Sequence, residues 1–538
     1  LFVVTFISAL IIFLLSLTAG VSEAYERRFD VAVVGAGTGG SMAAIQAARQ
    51  GMKVALIEES DWVGGQMTGA AVSTMDDVRL TRTGIYKEFI SRVRDYYTVR
   101  GASIGICYWG SDTISLEPRI GQQILKDMMT ETGNVTLFLN ARPVSVSMNK
   151  NKLESVTFDQ VTDGKKESVT ITAKVFIDAT ETGDLIPMTG ARYRSGNSIS
   201  PKIDRDSMIQ DITYVAVVRR YPDGVPDELV IKTPPPGYEV VLPYFREKIS
   251  VSGDWWPGSY PFNVPTHNAY RAMPDIANPQ KAHIDGNDRT TWPLISRTAI
   301  NWANDFPGRR SGKPGMEARF LEDKEYRRDM ERQAMAVTLC FIYYMQNELG
   351  MSDWSVDNSQ GYGGYFSNDW QNWQQMPKEF APILSLFPPF PYVRESRRIV
   401  GVKTMTAKDV KYDPVLRRVL SSNHESIALG EYPTDIHGLS NKDFLDKDLD
   451  EHPEDIPADT AWKGRLFQIP IGALIPEKID GLIAAEKNIS VSRVVNGSTR
   501  LQPVTMLTGQ AAGAIAAEAV KNGPPSLVKS QMTGTAFR

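Results

Sequence analysis

Cysteine is scarce in this sequence, and positive and negative charges are nearly balanced. The two cysteines, Cys107 and Cys340, are too few for a disulfide scaffold or a four-cysteine iron–sulfur site. A formal net charge of -4 gives no reason to expect a nucleic acid or an anionic membrane surface as partner. The sequence also shows no metal-ligand spacing and no nucleophile–base–acid triad. Disulfide-stabilised, metal-dependent and nucleic-acid-binding classes are therefore disfavoured.

Long hydrophobic runs are equally scarce, apart from residues 1–17, LFVVTFISALIIFLLSL. This apolar run is at the short end for a membrane-spanning helix, and the small residues Ser22 and Ala24 suit a signal peptidase. We expect residues 1–24 to be a cleaved export signal, which predicts a periplasmic or extracellular protein. The alternative is a retained anchor that holds the protein outside a membrane, and only then is a membrane partner expected.

The remaining sequence is that of an ordinary globular protein. Hydrophobic residues make up 42% and charged residues 23% of 538 positions, enough chain for two or three domains with a large core.

Residues 29–65 show the pattern of a βαβ unit. Apolar residues 30–34 predict a strand, alanine-rich residues 41–50 a helix, and residues 54–57 a second strand that ends at Glu58. Between the first strand and the helix, glycines follow the spacing G-x-G-x-x-G. Such glycines permit a tight turn and a close approach of a diphosphate to the helix N-terminus, while an acid after the second strand binds ribose hydroxyls. The pattern predicts a dinucleotide site, for FAD or for a nicotinamide cofactor.

Three further segments bear on the choice of cofactor. They are Gly64-Gly65-Gln66 within DWVGGQMTGA, residues 175–184 with the sequence VFIDATETGD, and residues 496–513 with the sequence NGSTRLQPVTMLTGQAAG. Together they resemble the FAD-dependent oxidoreductase family of flavoproteins, built like glutathione reductase, although Glu181 stands where a glycine is usual. The resemblance implies FAD, and in the last segment a helix that begins near Thr508 and points its N-terminus at the flavin. The cofactor-binding residues so predicted are Gly35, Gly37, Gly39, Gly40, Glu58, Gly64, Gly65, Gln66, Thr180, Gly183, Asp184, Thr508, Gly509 and Gln510.

The fold expected is α/β, with a Rossmann-like FAD-binding domain that carries a β-meander and an inserted mixed α+β substrate domain. The predicted parts are residues 26–192 and 392–525 for the FAD-binding domain, 193–391 for the substrate domain, 441–459 for a solvated acidic linker, and 526–538 for a tail. Strands are expected at residues 135–140, 144–148, 153–158 and 169–172 for the meander. One long helix is expected at residues 316–349.

The substrate domain offers few candidates for catalysis. His267, in NVPTHNAY, is the candidate base, and Arg397, in FPYVRESRRIVG, is the candidate cation for a substrate anion or the reduced flavin. Aromatic and amide residues at 353–376 suit a sugar or polyol. The alternative reading of that segment is a glycine-rich surface loop.

The expected reaction is hydride transfer between a small-molecule substrate and FAD, with an electron acceptor that the sequence does not specify. A sugar, glycoside or polyol is one substrate class, and an amino acid or another carboxylate held by the arginines is its alternative. A flavin-dependent lyase or isomerase without net redox chemistry, and a binding protein that has lost its cofactor, are the other classes considered.

Overall fold

The structure is a computed structural model that describes residues 25–76, 82–102, 105–107, 110–249, 271–274, 296–301, 303–308, 315–363, 375–410, 412–413, 418–419, 425–438, 445–446, 448–450 and 466–526. The predicted export signal, His267 and all but the first residue of the predicted tail lie outside these residues. Within them, no helix combines the length and the apolar character needed to cross a membrane.

The first part of the chain contains the predicted strand, helix and second strand. Its elements are β1 (Tyr25–Val34), α1 (Thr38–Arg49), β2 (Val54–Ile57), α2 (Gly84–Thr98), β3 (Gly105–Cys107), β4 (Gly110–Ser115), α3 (Pro118–Thr130), β5 (Val135–Phe138), β6 (Ala141–Asn149), β7 (Lys152–Thr162), β8 (Lys165–Asp178), α4 (Leu185–Met188), β9 (Tyr193–Ser195) and β10 (Ser198–Ile199). Residues 31–34 of β1 and 54–57 of β2 are buried, as the inner strands of a parallel sheet covered on both faces require.

The middle part is a mixed α+β region. Its elements are β11 (Met208–Ile209), β12 (Ile212–Thr213), β13 (Ala216–Arg220), α5 (Tyr238–Lys248), β14 (Arg297–Ile300), β15 (Asp305–Phe306), β16 (Met316–Glu317), α6 (Arg319–Glu322), α7 (Lys324–Asn347), β17 (Trp354–Val356) and α8 (Ala381–Leu384). The single helix predicted at 316–349 is wrong in its first part. Asp323 interrupts the helical run and caps α7, because its carboxylate accepts hydrogen bonds from the backbone N–H groups of Glu325 and Tyr326.

The last part returns to the first sheet. Its elements are β18 (Arg398–Ile399), α9 (Ala407–Val410), β19 (Tyr412–Asp413), β20 (Arg418–Val419), β21 (Ser426–Glu431), β22 (Leu466–Pro470), β23 (Leu482–Ala484), α10 (Arg493–Thr499) and α11 (Gln502–Asn522).

A seven-stranded sheet organises the molecule. The strand order is β5-β2-β1-β8-β7-β6, and β23 also pairs with β8. Strands β5, β2, β1, β8 and β23 are parallel, whereas β6, β7 and β8 form an antiparallel meander. The expected meander is therefore present, but its first predicted strand at 135–140 is not part of it, because β5 pairs in parallel with β2. The predicted strands at 169–172 and 175 onward are one strand, β8.

Two hydrophobic cores lie on either side of the site. One draws on residues 31–193 and 399–519, and the other on residues 209–393. A smaller apolar cluster joins residues of the first part, such as Trp62 and Val72, to Val215 and Val217 of the middle part. The carboxyl ends of the parallel strands therefore face a packed junction between the two cores.

Candidate functional site

A cleft opens at the carboxyl ends of β1, β2 and β8. Its lining residues are Val34, Gly35, Gly37, Ile57, Glu58, Glu59, Gly65, Ala141, Pro143, Ala179, Thr180, Glu181, Asp184 and Phe390. Ligands of open parallel sheets bind outside the carboxyl ends of the strands, so this cleft is where a dinucleotide is expected. Six of the residues predicted from sequence to bind the cofactor line it, namely Gly35, Gly37, Glu58, Gly65, Thr180 and Asp184.

The glycine segments form the floor of the cleft. Gly35 has a φ of +93°, and a Cβ atom there would collide with the Ala179 carbonyl oxygen. Gly37 caps α1, and the Gly64 N–H donates a hydrogen bond of 2.7 Å to the Ala36 carbonyl oxygen. A Cβ atom on Gly65 would lie 2.7 Å from the Gly37 Cα atom. The structure thus packs two segments that are separate in sequence against each other at the start of α1.

Glu58 lies at the end of β2, as predicted, and its carboxylate is buried. Its Oε2 atom accepts a hydrogen bond of 2.7 Å from the Ala36 N–H, and Oε1 accepts 2.9 Å and 3.1 Å bonds from the Ser60 hydroxyl and N–H. Burial raises the pKa of the Glu58 carboxyl to about 7. The carboxyl group therefore fixes the turn after β1 and stands at the cleft, where ribose hydroxyls would be received.

The turn after β8 brings Thr180, Gly183 and Asp184 to the same cleft. Asp178 Oδ1 accepts a hydrogen bond of 2.8 Å from the Thr180 hydroxyl, and burial raises the pKa of Asp178 to about 6. The Asp184 Oδ1 atom accepts a hydrogen bond of 3.0 Å from Arg397 Nη1. These contacts order the turn.

Arg397, the predicted cation, is held by the protein itself. Besides Asp184, its Nε atom donates to Glu322 Oε1 at 3.1 Å and its Nη1 atom to the Thr182 carbonyl oxygen at 2.9 Å. Burial opposes ionisation of Asp184, but Arg327 and Arg397 hold the pKa of its carboxyl below the usual value. The Arg397 charge is thus neutralised by two carboxylates.

The C-terminal segment differs from its prediction. The last helix begins at Gln502, not near Thr508, so Thr508, Gly509 and Gln510 lie in its second and third turns. A Cβ atom on Gly509 would collide with the Gly39 carbonyl oxygen, so this glycine lets α11 approach α1 closely. The Gln510 side chain bonds to the Ile85 N–H at 3.0 Å and to Gln46 at 3.2 Å. In this structure, Gly509 and Gln510 therefore join helices.

A cluster of charged residues at the junction of the two cores was missed by the sequence reasoning. We call it the junction cluster, and it consists of Asp305, Tyr392, Arg394, Asp435, His437 and Arg500. His437 Nδ1 lies 2.7 Å from Asp305 Oδ2 and its Nε2 atom lies 3.3 Å from Asp435 Oδ2. Burial and Arg394 oppose protonation, but Asp435 and Asp305 outweigh them and raise the pKa of His437 above its usual value. The two carboxylates therefore favour the protonated imidazole.

The junction cluster is connected to the glycine segments of the cleft. Arg500 donates hydrogen bonds to the Tyr392 hydroxyl and, at 2.9 Å, to Asp435 Oδ2. Its carbonyl oxygen accepts a 3.0 Å bond from Gln66 Nε2, next to Gly65. Sequence motifs could have identified part of this cluster, because Tyr392 and Arg394 belong to FPYVRESRRIVG and Arg500 belongs to NGSTRLQP. Nothing in the local sequence indicated His437.

Two acids of the segment at 441–459 that the structure describes are buried, whereas the Asp448 side chain is 60% exposed. Asp446 is fully buried, pairs with Arg398 Nη1 at 2.8 Å and accepts a 2.8 Å bond from the Arg493 N–H. Asp450 is also buried and accepts a bond of 2.8 Å from the Ala407 N–H. Cations and backbone N–H groups from distant parts of the chain compensate the charge of these buried acids. The local density of acidic residues does not predict such partners.

The residues at the cleft fit a dinucleotide. The adenosine end would lie at Glu58, and the diphosphate at the N-terminus of α1, where N–H groups and the helix dipole favour negative charge. The ring end would then lie beyond Gly65, where Gln66 Oε1 is buried without a hydrogen bond in this structure. Among the described residues, no group of three or more His, Cys, Asp and Glu side chains could hold a metal ion.

Comparisons with known proteins agree with this site. A family model described as FAD dependent oxidoreductase matches residues 30–532. The dihydrolipoyl dehydrogenase of Mycobacterium tuberculosis is 30% identical over 136 residues, which cover 24% of this chain and 29% of that protein. The conditioned medium factor receptor 1 of Dictyostelium discoideum is 34% identical over 79 residues, which cover 15% of this chain and 16% of that protein. The chain thus spans less than a third of the length of either relative.

Among solved structures, the myxobacterial chondrochloren halogenase, described as an FAD-dependent halogenase, is 17% identical, with 37% of this chain and 45% of that chain covered and a TM-score of 0.23. The p-nitrophenol 4-monooxygenase of Pseudomonas putida is 12% identical, with 36% and 48% covered and a TM-score of 0.23. TM-scores this low do not establish a shared overall fold.

Proposed function

The chain belongs to the FAD-dependent oxidoreductase family, and from this premise we propose that it oxidises an uncharged small molecule, such as a sugar or polyol, by hydride transfer to FAD. FAD, when bound, supplies the redox chemistry, and the protein supplies position and charge. The observation that carries the choice of an uncharged substrate is the pairing of the arginines at 394–398.

A carboxylate substrate would need an unpaired cation beside the cofactor. Arg394 instead pairs with Asp305 Oδ1 at 3.1 Å, Arg397 with Asp184 and Glu322, and Arg398 with Asp446. Removing one of these buried arginines from its partner to bind a substrate would leave a buried carboxylate without compensation. The described arginines that made the carboxylate alternative attractive are therefore already used within the protein.

The described part of the aromatic segment at 353–376 packs on residues close to Gly65, and its aromatic anchor makes its contacts within the protein. Tyr362 stacks on Trp62 with ring centroids 4.4 Å apart, and its hydroxyl donates to the Thr68 carbonyl oxygen. This contact fixes the segment against the residues that follow Gly65. Amide and hydroxyl groups carried by such a segment would satisfy substrate hydroxyls.

The junction cluster is the proposed source of positive charge at the ring end of the cofactor. Arg394, Arg500 and, when it is protonated, His437 face the carboxylates of Asp305 and Asp435, and Asp76 also acts on Arg500. Positive charge at this position would favour the reduced cofactor. Arg500 replaces Arg397 as the cation we assign to this role, because its backbone carbonyl oxygen accepts a hydrogen bond from Gln66 Nε2 and so places this residue next to the glycine turn.

The proposal is tested by anaerobic bleaching of the bound flavin. Purified protein that retains FAD is mixed in turn with neutral sugars and polyols, and with amino acids and hydroxy acids. We expect bleaching by at least one uncharged alcohol. Bleaching by carboxylates alone would overturn the substrate class, and turnover of a substrate without bleaching at any stage would indicate a lyase or isomerase.

We further propose that residues 1–24 direct the protein to the outside of the cytoplasmic membrane. Support comes from the apolar run at 1–17 and the small residues that follow it. Mass spectrometry of the N-terminus of the exported protein tests this, with an N-terminus near residue 25 as the expected result. Recovery of the protein from the cytoplasm with the apolar run intact would contradict it.

A further inference from the structure

Glu486 reaches the point where a diphosphate would meet α1. It follows β23 closely and is 2% exposed, and its Oε2 atom accepts a hydrogen bond of 2.6 Å from the Gly39 N–H in the first turn of α1. A Cβ atom on Gly37 would lie 3.1 Å from the same oxygen. A carboxylate of the protein thus occupies a donor of the helix N-terminus, which is the kind of donor that phosphate oxygens use.

The charge around Glu486 is incompletely balanced. Its second oxygen, Oε1, lies 3.7 Å from Lys487 Nζ and makes no hydrogen bond in this structure. The Lys487 ammonium group donates to Glu181 Oε2, while Glu181 Oε1 is buried without a hydrogen bond. Two carboxylates therefore share one ammonium group beside the glycine turns. Burial, opposed in part by Lys487, raises the pKa of Glu486 to about 8.

A diphosphate adds two negative charges at this point, and like charges at short distance in a buried site are unfavourable. We propose that the charged form of Glu486, held at the start of α1 by the Gly39 N–H, opposes binding of the diphosphate, so that FAD binds preferentially when this carboxyl group is protonated. The inference rests on the FAD site and is independent of the substrate.

The test measures FAD binding by the cofactor-free protein, with quenching of flavin fluorescence as readout. Glu486→Gln keeps an oxygen acceptor for the Gly39 N–H but removes the charge. We expect this variant to bind FAD more tightly than the parent protein, and the ratio of the two affinities should increase with pH, because deprotonation of Glu486 lowers the binding-competent fraction of the parent protein alone. The parent protein should lose FAD affinity as the pH rises through 8, and the variant should not.

Two controls separate this role from a structural one. Glu167→Gln removes a charge from the exposed part of β8 and should leave FAD affinity unchanged. Adenosine, which lacks the diphosphate, should bind the parent protein and Glu486→Gln equally. Weaker binding of FAD by Glu486→Gln, or the same pH dependence in both proteins, would overturn the proposal. A parent protein that binds no FAD at any pH would instead contradict the cofactor site itself.

Discussion

The glycine-lined cleft and the crossover segment, residues 392–399, are stabilised by different kinds of contact. The cleft is built from backbone at Gly35, Gly37 and Gly65, and residues 34–65 supply half of its lining. The crossover segment is built from side-chain charges, and Arg398 meets its partner Asp446 across 48 positions. Local sequence specifies the backbone geometry of a glycine turn, but it does not specify which distant residue an ionic side chain will pair with. Sequence motifs therefore predict the cleft, but they do not predict the ion-pair partners of the crossover segment.

The largest effect is expected from breaking a buried pair in the crossover segment. Arg398→Met removes the guanidinium group 2.8 Å from the fully buried Asp446 carboxylate and leaves that of Arg194 at 3.9 Å, and we expect the free energy of unfolding in urea to fall by about 3–5 kcal/mol. The matched control is Arg192→Met, whose pair with Glu477 is 44% and 29% exposed and is worth about 0–1 kcal/mol. Equal losses in the two variants would show that burial does not distinguish these pairs.

The next effect is expected in the cleft. Gly35→Ala places a Cβ atom against the Ala179 carbonyl oxygen at a φ of +93°, so the turn must shift and FAD retention should fall by about tenfold or more, a loss of at least about 1.4 kcal/mol of binding. Gly51→Ala is the matched control, because Gly51 also has a positive φ, +84°, but open space around it. It should be destabilised by about 1 kcal/mol while its flavin absorbance per protein stays normal. Loss of FAD in both variants would contradict the role of the close contact.

The smallest effect concerns the pH dependence of stability at the junction cluster. The pKa of His437 is raised in the folded protein, so the stabilisation it provides is present below the unfolded value near 6.5 and is lost as the pH rises through the folded value. His437→Gln should therefore flatten the decline of stability above pH 6.5, measured as the urea midpoint at several pH values. An unchanged decline would mean that other groups, such as the buried carboxyl of Glu58, cause it.

Prediction from sequence succeeded where neighbouring residues make the structure. The strand before Gly35 and the helix after it were both found, although β1 begins earlier, at Tyr25, and α1 spans Thr38–Arg49. Prediction failed where a contact with a residue far away in the sequence determines the local structure or the burial of a side chain. The start of α11 was misplaced because Gly509 serves a contact with α1 instead of a helix N-terminus. The acids near Asp446 were expected in solvent because their arginines lie elsewhere in the chain.

By itself, the sequence determined the βαβ unit, its glycine turn, the acid at Glu58 and the FAD-dependent family. These depend on strand and helix periodicity and on backbone space at fixed positions, which a short stretch of chain fully specifies. Only the tertiary structure decided that Arg397 is neutralised by Asp184 and Glu322, that His437 lies between two carboxylates, and that Glu486 reaches the Gly39 N–H across 447 positions. The physical reason is that a charged side chain pairs with whichever group folding brings within a few ångströms, and that partner leaves no pattern in the residues next to it.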